Sequence, residues 1–209
     1  MVPIVASIAA GVSIIASGGT DPPQITLPLH VTVVATAAVD RSLVNAMLGE
    51  AAAIWRAAGV TILWRTPPAG RPALPATEIT VTLHDGYFQS PDGNARLGWI
   101  TFVGPAAPEP VVHLSLGNAV ELMTRTSSLS EAPGGWRQYL LALALGRALA
   151  HELGHYLLKS TAHDAHGLMR AARPSLDFFS PSRFGFELTA DQRARLADRQ
   201  PCAHAEAMR

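Results

Sequence analysis

Apolar residues recur along the chain with two different periods, and the switches between them divide it into elements. Leu27 to Thr36 is β-branched and almost continuously apolar, the pattern of a central strand. From Arg41 to Ala58 the apolar positions Leu43, Val44, Met47, Leu48, Ala51, Ile54 and Trp55 share one helical stripe. Asp40 is placed as its N-cap and Gly59 as its stop. Val60 to Arg65 then reads as a second strand, and this β-α-β unit predicts a parallel pair with a right-handed crossover. Thr77 to His84 alternates apolar and polar residues and is a third strand, with Leu97 to Val103 a short fourth and Val111 to Leu116 a fifth. Turn residues fill Asp85 to Asn94, and Pro-rich loops are expected over Thr66 to Pro75 and Gly104 to Pro110.

In the second half, Asn118 to Thr126 predicts a short helix and Ser127 to Gly135 a loop. Trp136 to Lys159 is apolar around most of its helical circumference, so it is expected to be a central, buried helix. Arg170 to Gly185 reads as irregular. Thr189 to Leu196 predicts a short helix opened by a capping box, with Gln192 three positions after Thr189. The expected architecture is α+β (mixed α/β). It has a five-stranded mixed twisted sheet, a backing helix, a long central helix and a small irregular C-terminal part with a short helix.

Composition narrows the class. With 209 residues, 48% hydrophobic and 15% charged, the chain has ample apolar surface for one core. Net charge is zero and no Lys/Arg block occurs, which argues against a nucleic-acid partner. The single cysteine, Cys202, excludes an intramolecular disulfide and is read as a bystander. Residues 1–19 are apolar, small and uncharged, and Ala16-Ser17-Gly18 offers a small-residue cleavage site. Export as a signal peptide is favoured over a cytoplasmic location, although no basic residue precedes Arg41; the alternatives are an extra N-terminal strand and an imperfect start. No stable membrane span is expected elsewhere, and residues 20–209 are read as a single domain.

Candidate chemistry is concentrated on the long helix. Four of the eight histidines lie between His151 and His166. His151-Glu152-Leu153-Gly154-His155 is an H-E-x-x-H motif, and residues at i and i+4 share a helix face. Two neutral imidazoles placed in this way can hold one Zn2+, with Glu152 as the general base that activates water. The alternative is a pair of core histidines bonded to backbone, but burying two imidazoles and a carboxylate is costly without partners. A third ligand is expected because catalytic zinc usually takes three protein donors. His163 is favoured, since the chain can bend back beyond the helix end. His166 and Asp164 are its rivals, and Glu187 is a further candidate because E-x-x-x-D begins there.

With a histidine beyond the helix and Gly167-Leu168-Met169 after it, this stretch resembles the metzincin zinc peptidases, nearest to matrixin-like bacterial members. The resemblance implies His151, His155 and His163 as ligands, Glu152 as general base and Met169 as the Met-turn residue beneath the metal. It also implies that Leu97 to Val103 is an edge strand lining the cleft, with Gly98, Trp99, Ile100, Thr101 and Phe102 beside the substrate. The family pattern H-E-x-x-H-x-x-G-x-x-H places its Gly on Leu158 and its third His on Thr161, so here the histidine arrives two residues late. A wider turn is expected to absorb the difference. The implied activity is zinc-dependent hydrolysis of peptide bonds, with a peptide or protein substrate and with His166, Arg170 or Arg183 as candidate oxyanion donors. The alternatives are a catalytically inactive peptide-binding module and a structural zinc domain.

Overall fold

The structure is a computed structural model, and it describes residues 5–7, 28–36, 38–66, 79–88, 95–126, 128–129 and 131–198. Ala16-Ser17-Gly18, Cys202, most of the expected loop from Thr66 to Pro75 and the end of the Asp85 to Asn94 turn lie outside those residues.

The chain runs β1 (Val5–Ser7), β2 (Leu29–Ala35), α1 (Arg41–Ala57), β3 (Ile62–Arg65), β4 (Ile79–His84), β5 (Gly98–Gly104) and β6 (Ala107–Ser115). It continues through α2 (Leu116–Arg125), α3 (Gly134–Leu158), β7 (Ala172–Pro174), α4 (Ser175–Phe179) and α5 (Ala190–Ala197). Five strands form the main sheet in the order β3-β2-β4-β6-β5. β2 pairs in parallel with β3 and β4, and β4 in parallel with β6, while β5 lies antiparallel on the edge. The expected mixed sheet, backing helix and long central helix are therefore all present.

Local chemistry explains the boundaries. The Asp40 side chain accepts from the Ser42 N–H and opens α1. Leu43, Met47, Ala51 and Ile54 bury one stripe, and Trp55, fully buried, donates through Nε1 to the Ala150 carbonyl of α3 at 3.2 Å. That bond joins the two large helices within the apolar core. β4 and the first part of β5 alternate buried and part-exposed residues, as half-buried strands do. Gly98, Ile100 and Phe102 of β5, with Val112 and Leu114 of β6, point into the core. Trp99, Thr101 and His113 point to the opposite face, where Trp99 and His113 stand in register and stack. At the C-terminal end, Thr189 and Gln192 form the expected capping box at the start of α5.

Two stretches differ from expectation. The loop expected over Gly104 to Pro110 is a hairpin, with Gly104 paired to Ala107 and β6 already under way. Pro108 and Pro110 sit where β6 is flanked by β5 alone, because β4 pairs with it only from Val111. A sheet tolerates residues without an N–H in such edge positions. The stretch from Arg170 to Gly185, read as irregular, contains β7 and α4. β7 is only three residues long and pairs antiparallel with Val5–Ser7 at the other end of the chain, so its partner lies beyond any local pattern.

Candidate metal centre

The site is built on the second half of α3. His151, Glu152 and His155 are all buried there. Each helical imidazole is anchored through Nδ1: His151 to the Leu168 carbonyl at 2.8 Å, His155 to the Ser160 carbonyl at 2.6 Å. A carbonyl only accepts, so each Nδ1 carries the proton and each Nε2 presents a bare lone pair. Those two Nε2 atoms face each other at 3.1 Å. Two acceptors at that distance repel unless a cation lies between them. Zinc–imidazole bonds of about 2.0–2.1 Å let one ion reach both nitrogens across such a gap.

His163 completes the group. α3 ends at Leu158, and Lys159 turns the chain in the left-handed region at φ 45° and ψ 50°. The N–H groups of Lys159 and Ser160 both return to the His155 carbonyl, closing the helix end. The chain then doubles back, and the His163 ring lies 5.3 Å from that of His151 and 4.9 Å from that of His155, centroid to centroid. One ring nitrogen from each of the three lies within 4.8 Å of the others. The histidine two residues late is thus brought to the same point by a helix that runs on to Leu158 and reverses at Lys159.

Burial holds the two helical imidazoles neutral. The His151 pKa lies well below the ordinary value, chiefly through desolvation and then through His155 beside it. Desolvation is also the main cause that brings His155 down to about 4. Two neutral helical imidazoles with a third imidazole beside them are a donor set that fits Zn2+.

Glu152 stands apart from that logic. It is fully buried, and neither carboxylate oxygen has a hydrogen-bond partner. Desolvation pushes its pKa up to about 8, against the opposing pull of Arg96. The edge strand makes room for it: a Cβ built on Gly98 would lie 3.0 Å from Glu152 Cγ and 3.0 Å from Leu114 Cδ2. Further along β5, the Phe102 ring meets His155 edge-on at 6.4 Å. Below the motif, a Cβ on Gly154 would lie 2.3 Å from the Met169 sulfur.

The other candidates are placed elsewhere. His166 is exposed and outside the three-imidazole group. Asp164 is also exposed; its carboxylate accepts from the Gln192 side chain, and its N–H donates to the Met169 carbonyl at 3.0 Å. The Glu187 carboxylate accepts from the Gly185 N–H at 2.7 Å. Arg183 is paired with Glu50 of α1 at 2.8 Å. Trp99 lies on the sheet face opposite Gly98, stacked at 3.8 Å on Phe88. Arg96 and Arg173, both buried, were not singled out from sequence, because nothing local distinguishes them from surface arginines.

No protein-family model matches the chain, and no curated protein matches it in sequence. Its fold is similar to solved structures of two metzincin-type or metalloproteinase proteins. Archaemetzincin from Methanopyrus kandleri matches with a TM-score of 0.52 and 12% identity over 82% of this chain and 94% of that one. Metalloproteinase-II from Bacteroides fragilis matches with a TM-score of 0.51 and 12% identity over 94% of this chain, which spans 57% of that longer protein. At such identity the likeness defines a shared fold: a mixed sheet carrying a backing helix and a long central helix.

Proposed function

We propose that the protein is a zinc-dependent endopeptidase in which His151, His155 and His163 hold one catalytic Zn2+ and Glu152 is the general base. The observation that carries this reading is the pair of inward-facing Nε2 atoms at 3.1 Å, beside a buried carboxylate that has no hydrogen-bond partner. When bound, zinc supplies Lewis-acid activation of water and of the scissile carbonyl. Glu152 takes the proton of the attacking water on a carboxylate oxygen and returns it to the leaving amine. Its raised pKa suits both halves of that exchange. The names of the two structures of similar fold, an archaemetzincin and a metalloproteinase, agree with this reading, as does the Met169 sulfur packed against Gly154 of the motif.

The substrate chain lies extended along the edge strand β5, adding a strand there by main-chain hydrogen bonding. Gly98 then borders the reacting bond, since it already borders Glu152. A structural zinc site would need a fourth protein donor, and none joins the three imidazoles among the described residues. An inactive binding module would have no use for an unpartnered Glu152.

The test is metal content by mass spectrometry on wild type, His163→Ala and His166→Ala, with casein hydrolysis measured with and without chelator. About one zinc per chain is expected in wild type, lost with His163 and kept with His166. Glu152→Gln is expected to keep its zinc and to lose turnover by roughly 10²-fold or more. Zinc lost only with His166 would move the third ligand. A zinc-loaded wild type that cleaves no peptide would refute the peptidase reading.

A further inference from the structure

We propose that Arg173 is a positioning residue for His151, acting through the turn whose carbonyl anchors that imidazole. The inference rests on the reading of His151 as a metal ligand. An imidazole on a helix can still rotate about its last torsion. The bond from Nδ1 fixes both its direction and its tautomer, so whatever holds the accepting carbonyl aims Nε2. That carbonyl belongs to Leu168, which lies in no regular element.

Besides the Asp164 N–H on the Met169 carbonyl, the turn from Gly167 to Arg170 is held from three directions. The Arg170 N–H returns to the Gly167 carbonyl at 3.2 Å, and the Leu168 N–H donates to the Glu187 carbonyl at 2.8 Å. The third hold is Arg173. Its guanidinium, 3% exposed, donates to the Gly167 carbonyl and, at 2.6 Å, to the Gly185 carbonyl. The same group lies over the Phe186 ring, 4.0 Å from its centroid. One guanidinium nitrogen, Nη2, thus ties the turn to a second chain segment, and the planar group is itself fixed by an aromatic face. Lysine offers a compact, flexible ammonium without the plane that lies on Phe186.

Arg147 supplies the internal control. It sits one helical turn before His151 and also approaches Phe186, at 4.6 Å. Its donors go to Glu50, to the Phe178 carbonyl at 3.2 Å and to the Ser182 carbonyl at 2.8 Å. It therefore secures the C-terminal segment without touching the turn that anchors His151.

The experiment compares wild type, Arg173→Lys, Arg173→Met, Arg147→Met and His151→Ala. The readouts are zinc affinity by chelator competition, melting of the metal-free protein, and the side-chain nitrogen resonances of His151 in the metal-free state. Both Arg173 variants are expected to bind zinc about 10- to 100-fold more weakly. Their His151 Nδ1 resonance is expected to show loss of its single hydrogen-bonded tautomer. Arg147→Met is expected to melt earlier and to keep near-wild-type zinc affinity. Should Arg173→Met not fold, Arg173→Lys decides alone. Unchanged zinc affinity in Arg173→Lys, or an equal loss in Arg147→Met, overturns the inference while leaving the metal site intact. Zinc binding retained in His151→Ala overturns the ligand reading, and the inference falls with it.

Discussion

The sulfur of Met169 occupies the space that a side chain on Gly154 would need: a Cβ there would sit 2.3 Å from Sδ and 3.2 Å from Cε. Gly154 lies inside the histidine motif, one residue before His155, so the fit is between the turn that holds Met169 and the helix that carries His151 and His155. Gly154→Ala is expected to cost about 1–3 kcal/mol through overpacking and to weaken zinc binding. Met169→Ala opens a cavity instead, and the double variant is expected to be less destabilised than the sum of the two. A double-mutant cycle on denaturation midpoints checks this. Simple additivity would mean that the two residues are not packed as described.

Gly98 leaves room for Glu152 in the same steric manner, but from the sheet. A methyl at this position meets the Glu152 side chain and Leu114. Gly98→Ala is expected to lower kcat while zinc content stays at the wild-type level, because the imidazoles are not touched. Steady-state kinetics together with metal analysis separates the two effects. A variant with normal kcat would show that Glu152 does not depend on this clearance.

Glu50, buried on α1, accepts from Arg147 at 3.1 Å, and both side chains are withdrawn from solvent. Removing one member leaves the other charge buried. Glu50→Ala is expected to destabilise by roughly 3–5 kcal/mol, and adding Arg147→Met to it is expected to recover part of that loss. Urea titrations of the two variants decide the point. A double variant no more stable than Glu50→Ala would mean that the ion pair is not the source.

His84 and His113 share a hydrogen bond of 3.1 Å between Nε2 and Nδ1, and Trp99 stacks across both rings. One ring must donate and the other accept, so the two rings cannot both be protonated. Burial, aided by His84, holds the His113 pKa below its usual 6.5. The folded pKa is lower than the unfolded one, so the stability it contributes is present above about pH 6.5 and is lost as pH falls through the lowered value. Melting of metal-free wild type and His113→Gln between about pH 7 and about pH 5 isolates this effect. Wild type is expected to lose its advantage with acidification. Parallel curves would remove His113 from the acid response.

Much of this was legible in the sequence, for local reasons. The stripe from Leu43 to Trp55, the alternation of Ile79 to His84 and the capping box at Thr189 carry their own geometry, and the structure follows them closely. The three histidines were recognisable by type and spacing. What stayed hidden depends on partners remote in sequence. β7 exists because Val5–Ser7 pairs with it, and the start of β6 is a strand despite its prolines because β5 folds back on it. Arg173 and Arg147 gain their meaning from carbonyls and a phenyl ring that no local pattern identifies. Gly154 was in plain view inside the motif, but only the position of Met169 shows why it is glycine.

The reversal at Lys159 makes the candidate site depend on more than the helix that carries its motif. His151 and His155 lie one turn apart on α3, so the helix alone brings them to one face. His163 sits on an irregular strap whose far side is held through Asp164, by the Met169 carbonyl and by the Gln192 side chain of α5. The position of His163 is therefore tied to α5, an element remote from α3 in the chain. Under the proposed metal site, a chain lacking α5 is expected to hold zinc more weakly than the full chain, although both helical imidazoles are still present.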